Sequence, residues 1–265
     1  FSVSEFHVIT GLLLPIWDRL PGDNWSAQPI PLKALKAVIT KWQTALDGKA
    51  WNSNYLTNHD LPRAISRFGT DKEPYRETSG KMLATLTMTL QGTPYIYMGE
   101  EIGMTNIAFD NLDDYEDIGT RNYITEARNQ GLPEAEIKRR VHSRSRDNSR
   151  TPIQWDDTAH GGFTTGTPWL KANPNHKTIN AARSVQDPGS LYHYYRELIQ
   201  LHKQTPALIY GKFDLLAPED ENIFAYTRTL GKEKYLVVLN FAEQDTPFTP
   251  PVPMTGAKQV LGNYP

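Results

Sequence analysis

The sequence predicts an α/β protein that ends in a small antiparallel β domain. Helical and strand-like patterns alternate in the N-terminal half, and polar side chains follow each predicted strand. Two strand-like runs joined by a glycine turn lie near the C-terminus. Alternating helices and strands are typical of parallel α/β architecture, and in a (β/α) barrel the active face is formed by the C-terminal ends of the strands.

Apolar residues at helical spacing predict the first helix; they are Leu32, Leu35, Ile39, Trp42 and Leu46. Tyr55 and Leu56 then predict a short strand that leads into the triplet Asn58-His59-Asp60. Three side chains that can all form hydrogen bonds, placed at a strand end, indicate a binding site.

The same pattern follows once more. Residues Lys81 to Leu90 predict a largely buried helix that Gly92 ends. Pro94 to Tyr97 predict a second short strand, in which Tyr95 and Tyr97 are expected to be core aromatics.

A long polar segment, about residues 110–180, separates this strand from the next predicted helix. It is rich in Asp, Arg, Asn and Gly and is too long for an idle loop in a compact domain. We expect this long polar loop to shape a pocket.

The C-terminal part has a different character. An amphipathic helix runs from Leu191 to about Gln204, and Pro206 ends the helical pattern. Two strands turned at Gly231-Lys232 follow and predict a small β domain.

Composition excludes several classes of partner. The 28 basic and 30 acidic side chains are nearly balanced, so no basic face for nucleic acid is expected. No apolar run of spanning length and no leader pattern are present, which predicts no contact with a membrane. The absence of cysteine fits a reducing, cytoplasmic compartment, and no histidine pair has metal-ligand spacing, so no metal or cofactor is expected.

Four stretches, in order along the chain, carry a resemblance to the α-amylase superfamily, glycoside hydrolase family 13. They are NHDLPRAISRFG from Asn58, GTPYIYMGEEIGMTN from Gly92, SRDNSRTPIQWD from Ser145 with GGFTTGTPWL after it, and the hairpin FAYTRTL to LVVLNF. The chain most resembles the branch that contains oligo-1,6-glucosidases, dextran glucosidases and α-glucosidases.

The resemblance implies an architecture. It implies the C-terminal part of a (β/α)8 TIM barrel followed by a small antiparallel β domain. Residues 1–205 would form the last βα units, with the long loop at about 110–180, and residues 206–265 an incomplete C-terminal β domain.

The resemblance also implies site residues. Asp60 matches the carboxylate that stabilises the oxocarbenium-like transition state, His59 matches an imidazole that binds the same sugar ring, and Arg146 matches an arginine that binds the terminal glucose. The pair Glu100 and Glu101 would shape the loop after the eighth strand. Glu101 is a candidate for a sugar contact, but a weaker one than Asp60, His59 and Arg146.

Ordinary structural roles are the alternative for several of these polar side chains. Asn58 is expected to fix its loop. Without the resemblance, Arg146 would be expected to form a surface ion pair with Asp147 or Asp156. Arg63 and Arg67, just past the triplet, are expected to pair with neighbouring acids rather than to contact glucose.

Two groups that the family's chemistry requires are absent. Retaining cleavage uses a carboxylate nucleophile and a carboxylic acid about 5 Å apart. The motifs around both precede the sixth strand, which Phe1 to Val8 resembles, so neither nucleophile nor general acid is expected in this chain. We therefore expect a fragment whose partner is the missing N-terminal half of the barrel.

Three functions remain open from the sequence. The first is a retaining α-glucosidase that hydrolyses terminal α-1,6 or related bonds of short oligosaccharides. The second is a sucrose isomerase or glucosyl transferase of the same family. The third is a catalytically inactive, amylase-like heavy chain of an amino-acid transporter, against which the intact triplet and Arg146 argue.

Overall fold

A computed structural model of the chain describes residues 23–263. Its helices are, in chain order, α1 Leu32–Leu46, α2 Ala64–Phe68, α3 Arg76–Thr89, α4 Ile118–Asn129, α5 Glu134–Arg144, α6 Ala181–Gln186, α7 Leu191–Gln204 and α8 Pro206–Tyr210. Its strands are β1 Ser53–Asn54, β2 Thr93–Pro94, β3 Lys212–Leu216, β4 Ile223–Leu230 and β5 Glu233–Asn240. The segment Phe1 to Val8, which was expected to be a strand, lies outside the described residues.

Strands β1 and β2 form a parallel pair, as the alternation of elements predicts. Ser53 lies opposite Thr93, and Asn54 lies opposite Pro94. The Tyr95 amide donates to the Asn54 carbonyl over 2.8 Å and ends the ladder. Both strands are therefore shorter than predicted and end before the aromatic residues that the pattern assigned to them.

The expectation that Tyr95 and Tyr97 are core aromatics is wrong, because the strand ends before them. Tyr95 is 51% exposed, so it is not a core residue. Tyr97 is half-buried, and its hydroxyl donates to the Ser149 carbonyl over 2.9 Å. Both residues lie beyond the paired strand, where side chains follow the loop rather than the sheet.

Helices α1 and α7 have the bounds that their apolar spacing predicts. Helix α3 begins at Arg76, earlier than Lys81, because its first turn is polar: Arg76 binds Glu73 and Glu77, each over 2.9 Å. Pro206 follows the end of α7, as predicted, but it also begins α8, since proline is well suited to a first helical position.

The segment at about 110–180 is not a loop, which corrects the prediction. It contains α4, α5 and short 3-10 turns. These elements, with Ile107 and Phe109 just before the segment, enclose a hydrophobic cluster. Its other members are Leu112, Tyr115, Ile124, Ala127, Ile137, Val141 and Leu170. The apolar residues are sparse in a polar sequence, so composition alone hides this cluster.

The C-terminal sheet is antiparallel in the order β3, β4, β5. The predicted hairpin is confirmed: Leu230 pairs with Glu233 across Gly231, whose φ of 58° suits glycine in a two-residue turn. Strand β3 adds a third strand that the sequence pattern did not reveal.

The sheet shares one hydrophobic core with the helices. Its members are Leu32, Leu35, Leu56, Leu61, Ala64, Met82, Leu83, Leu86 and Leu90 from the helical part, with Phe213, Phe224, Tyr226, Val237 and Leu239 from the sheet. The buried Lys36 of α1 donates to the carbonyls of Ala217 (2.9 Å) and Asp220 (2.6 Å) beyond β3. Apolar burial and polar contacts therefore join the sheet to the helices.

Across residues 23–263, none of the helices combines the length and apolar character that crossing a bilayer requires.

Candidate active site

The triplet Asn58-His59-Asp60 forms a fixed turn after β1. The Asn58 side chain accepts a hydrogen bond from the Asp60 amide over 2.8 Å, and the Asn58 carbonyl accepts one from Leu61. The Thr57 hydroxyl then accepts from the Ala64 amide over 2.9 Å at the start of α2. Asn58 thus has the loop-fixing role expected of it, and the side chains of His59 and Asp60 remain 71% and 48% exposed.

The structure brings together the three main predicted site residues. Arg146 lies in the 3-10 turn Arg146–Ser149, which Ser145 caps by accepting from the Asp147 amide over 3.2 Å. Its Nη1 lies 3.3 Å from Asp60 Oδ1, and His59 Nε2 lies 3.3 Å from Asp60 Oδ2. One carboxylate therefore has a guanidinium on one oxygen and an imidazole on the other.

Asp147 and Asp156, the alternative partners of Arg146, have other contacts. Asp147 accepts from the amides of Glu116 (2.7 Å) and Asp117 (3.0 Å). Asp156 accepts from the amide and hydroxyl of Thr158. The alternative is wrong because Arg146 points towards Asp60 and away from its sequence neighbours.

Two site residues were missed by the sequence analysis: Arg150 and Asp117. Arg150 donates from Nη2 to Asp60 Oδ1 over 2.9 Å and from Nε to the His59 carbonyl over 2.8 Å. Asp117 Oδ1 lies 2.6 Å from Arg146 Nη2 and 3.4 Å from Arg150 Nη1. Together these residues form a cluster of two carboxylates and two guanidiniums, here called the Asp–Arg cluster (Asp60, Asp117, Arg146 and Arg150).

Hydrogen bonds inside the Asp–Arg cluster favour the charged forms of Asp117 and Arg146. Burial acts to raise the pKa of Asp117, but hydrogen bonds from Arg146 and Thr120 outweigh it and lower that pKa. The hydrogen bond to Asp117 raises the pKa of Arg146 in return. Local signals for the two missed residues exist: Arg150 lies four positions after Arg146 in the same motif, and Asp117 is the N-cap of α4.

Asp147 lies fully buried behind the Asp–Arg cluster. Its two backbone contacts hold the chain before α4 against the turn that carries Arg146. The Thr120 and Ser145 hydroxyls join the same two segments over 2.9 Å. Burial raises the pKa of Asp147.

Glu100 and Glu101 bind their own loop. The Tyr97 amide donates to Glu100 over 3.2 Å, and the Gly99 amide donates to Glu101 over 2.8 Å. Burial raises the pKa of Glu100 to about 7. These contacts fit the predicted role in shaping the loop, and a sugar contact by Glu101 stays a prediction.

Among residues 23–263, Arg63 forms no hydrogen bond to an acidic side chain, which corrects the expectation. It is buried and donates to the carbonyls of Asn148 (3.1 Å) and Met98 (2.6 Å). Burial lowers its pKa to about 10. Arg67 lies with its guanidinium 4.5 Å from the ring centre of Phe68. Arg63 therefore joins the loops that follow β1 and β2 to the turn of Arg146.

The geometry suits a polyhydroxylated ligand that gains positive charge. Asp60 and His59 are open to solvent beside the two guanidiniums, so hydroxyl groups would find both acceptors and donors. Within residues 23–263, no three His, Asp or Glu side chains converge in a way that could hold a metal ion.

Family models match nearly all of the chain. The model described as "Alpha amylase, catalytic domain" matches residues 15–211. The model described as "Maltogenic Amylase, C-terminal domain" matches residues 213–265. The catalytic-domain model alone covers well over half of the chain.

Individual relatives agree with these models. An oligo-1,6-glucosidase of Parageobacillus thermoglucosidasius is 50% identical over 235 residues, which are 88% of this chain and 42% of the relative. One from Halalkalibacterium halodurans is 48% identical and covers 93% of this chain and 44% of its own length. The crystal structure of an isomaltulose synthase from Erwinia rhapontici NX5 superposes with a TM-score of 0.82 at 44% identity, over 88% of this chain and 42% of that one.

The chain thus spans less than half the length of these relatives. The predicted fold class is confirmed: the chain is the C-terminal part of a (β/α)8 barrel followed by a small antiparallel β domain.

Proposed function

The chain belongs to the alpha-amylase family of glycoside hydrolases, and from this premise we propose that it is part of a retaining α-glucosidase. The substrates would be short oligosaccharides with terminal α-1,6 or related bonds. Similarity to oligo-1,6-glucosidases at 48–50% identity supports this substrate class.

One observation carries the proposal: the open carboxylate of Asp60 is held between His59 and Arg146 in the turn after β1. Cleavage of a glycosidic bond develops positive charge on the sugar ring, and a fixed carboxylate stabilises that charge most at the transition state. His59 would bind a ring hydroxyl, and Arg146 would bind hydroxyls of the terminal glucose through its planar multi-donor head. Glu101 is a further candidate for a sugar contact.

The remaining chemistry is assigned to the rest of the protein. A nucleophile and a general acid would come from the N-terminal half of the barrel, which we propose as the structural partner of this chain. The greater length of the relatives supports this assignment. A cytoplasmic location stays a prediction based on the absence of cysteine.

A second function is favoured by a specific similarity. Isomaltulose and trehalulose synthases are among the solved structures at 43–44% identity. Such an enzyme would pass the glucosyl group to a sugar instead of water. Product analysis with sucrose and with isomaltose separates rearrangement from hydrolysis.

The test is Asp60→Asn in the full protein that carries this chain. The amide keeps the shape and removes the charge, so kcat for isomaltose should fall about a hundredfold or more while KM changes much less. The exposed Asp113→Asn is the matched control and should retain activity.

Two results would contradict the proposal. One is a kcat/KM within about twofold of wild type in a folded Asp60→Asn variant. The other is turnover by residues 1–265 alone that Asp60→Asn abolishes, since this chain is proposed to lack nucleophile and acid.

A further inference from the structure

We propose that Asp117 is a positioning residue that balances the excess positive charge of the two guanidiniums beside Asp60. The negative charge of Asp60 then stays available to the sugar. This inference rests on the proposed function of Asp60. It assigns a role to a buried residue that lies outside the predicted site.

In the Asp–Arg cluster, each of the two carboxylates lies close to both guanidiniums. Asp60 Oδ1 lies 3.3 Å from Arg146 and 2.9 Å from Arg150. Asp117 Oδ1 lies 2.6 Å from Arg146 and 3.4 Å from Arg150. Each arginine is shared by both carboxylates, and Arg146 lies closer to Asp117 than to Asp60.

The balance of charges in the Asp–Arg cluster determines how strongly Asp60 can interact with the sugar. Two guanidiniums facing Asp60 alone would leave an excess positive charge where the sugar ring becomes cationic, and like charges repel. A second carboxylate on the far side balances that excess and draws Arg146 away from Asp60. The carboxylate of Asp60 can then interact with the ring instead of being shared between two cations.

Asp117 is built to stay in place. Its side chain is only 3% exposed, so it lies behind the arginines and out of contact with a ligand in the open site. Its Oδ2 accepts from the Thr120 amide (2.9 Å) and hydroxyl (3.0 Å), and its own amide donates to Asp147 over 3.0 Å. Its other oxygen is therefore directed at the two arginines.

The competing explanation is that Asp117 only caps α4. A neutral asparagine also caps helices well, so Asp117→Asn should leave a merely structural role almost intact. The two explanations differ in one further respect. The charge balance lost with Asp117 can be restored by removing one arginine charge, whereas a lost helix cap cannot be restored in this way.

The experiment compares four forms of the full protein with isomaltose: wild type, Asp117→Asn, Arg150→Gln with Asp117→Asn, and Glu116→Gln. Asp117→Asn should lower kcat about tenfold or more with a smaller change in KM, and the double variant should recover most of that loss. Glu116, which is half-buried next to Asp117 and pairs with Arg121 over 2.9 Å, is the matched control and should behave as wild type.

A second readout separates this inference from the proposed function. The affinity of each form for the cationic sugar mimic deoxynojirimycin, measured by calorimetry, does not depend on turnover. Asp117→Asn should bind about tenfold more weakly, and the double variant should recover. If the wild-type protein shows no turnover, the proposed function is wrong, and the affinities for deoxynojirimycin then test the role of Asp117 by themselves.

Unchanged kcat and affinity in a folded Asp117→Asn protein would overturn the inference. Equal losses in the single and double variants would also overturn it, because they would show that removing the extra cation restores nothing.

Discussion

Single residues in this molecule are held in charge states that their surroundings impose. Glu100, in the loop after β2, is an example, because its carboxyl group interacts with Thr57 and Arg63. Burial raises its pKa to about 7, although hydrogen bonds from Thr57 and Tyr97 and the charge of Arg63 oppose this. The folded protein therefore keeps Glu100 protonated at pH values where an unfolded chain would ionise it.

This difference predicts a pH dependence of stability. The unfolded state loses its proton near pH 4.5 and the folded state near 7, so Glu100 makes the fold less stable as pH rises through this window. Glu100→Gln cannot ionise. Its free energy of unfolding, relative to wild type, should increase by about 1–3 kcal/mol between pH 4.5 and 7.

Urea titrations at several pH values measure the effect, with the exposed Glu126→Gln as control. A difference between Glu100→Gln and wild type that stays constant across this pH range would show that Glu100 titrates normally.

At the scale of elements, a buried arginine connects strand β4 to two helix ends. Arg228 is fully buried and donates to the carbonyls of Thr89, at the end of α3, and of Gly211, just after α8 (2.8 Å). The last carbonyls of a helix carry partial negative charge, which favours a cation there. Burial nevertheless lowers the pKa of Arg228 to about 10.

Arg228→Met should therefore destabilise the protein, because it leaves buried carbonyls without donors. The expected loss is about 2–4 kcal/mol in the free energy of unfolding. Lys234→Met, an exposed cation on the adjacent strand β5, is the control and should change stability by less than about 0.5 kcal/mol. Equal stabilities of the two variants in denaturant would mean that solvent replaces the lost donors.

At the scale of the whole molecule, the C-terminal sheet completes the core of the barrel part. Phe213, Phe224 and Tyr226 lie in the same cluster as Leu35 and Leu86. A boundary drawn near residue 205 or 212 thus separates two sequence patterns, while apolar packing continues across it.

Deleting residues 212–265 from the full protein should therefore abolish cooperative thermal unfolding, because it exposes the helices that the sheet covers. Deleting residues 245–265 alone leaves every strand of the sheet and should preserve a cooperative transition. If the larger deletion also unfolded cooperatively, with protease resistance like that of wild type, the helices would have a sufficient core of their own.

Part of the candidate site could be read from local sequence. His59, Asp60 and Arg146 lie in short motifs whose residue types match a known chemistry, and the structure places them together. Arg150 and Asp117 could not be assigned in this way. An arginine next to several acids has many possible partners, and a capping aspartate looks the same whether or not a guanidinium lies behind it.

The sequence by itself determined the elements whose signals are local: the bounds of α1 and α7, the turn of the hairpin, and the positions of the motifs. Only the tertiary structure decided that the polar segment at 110–180 folds around its own core and that Asp117 faces two arginines. The reason is physical: periodicity and turn chemistry depend on neighbours a few residues away, whereas counter-charges and shared cores depend on segments that meet only after the chain has folded.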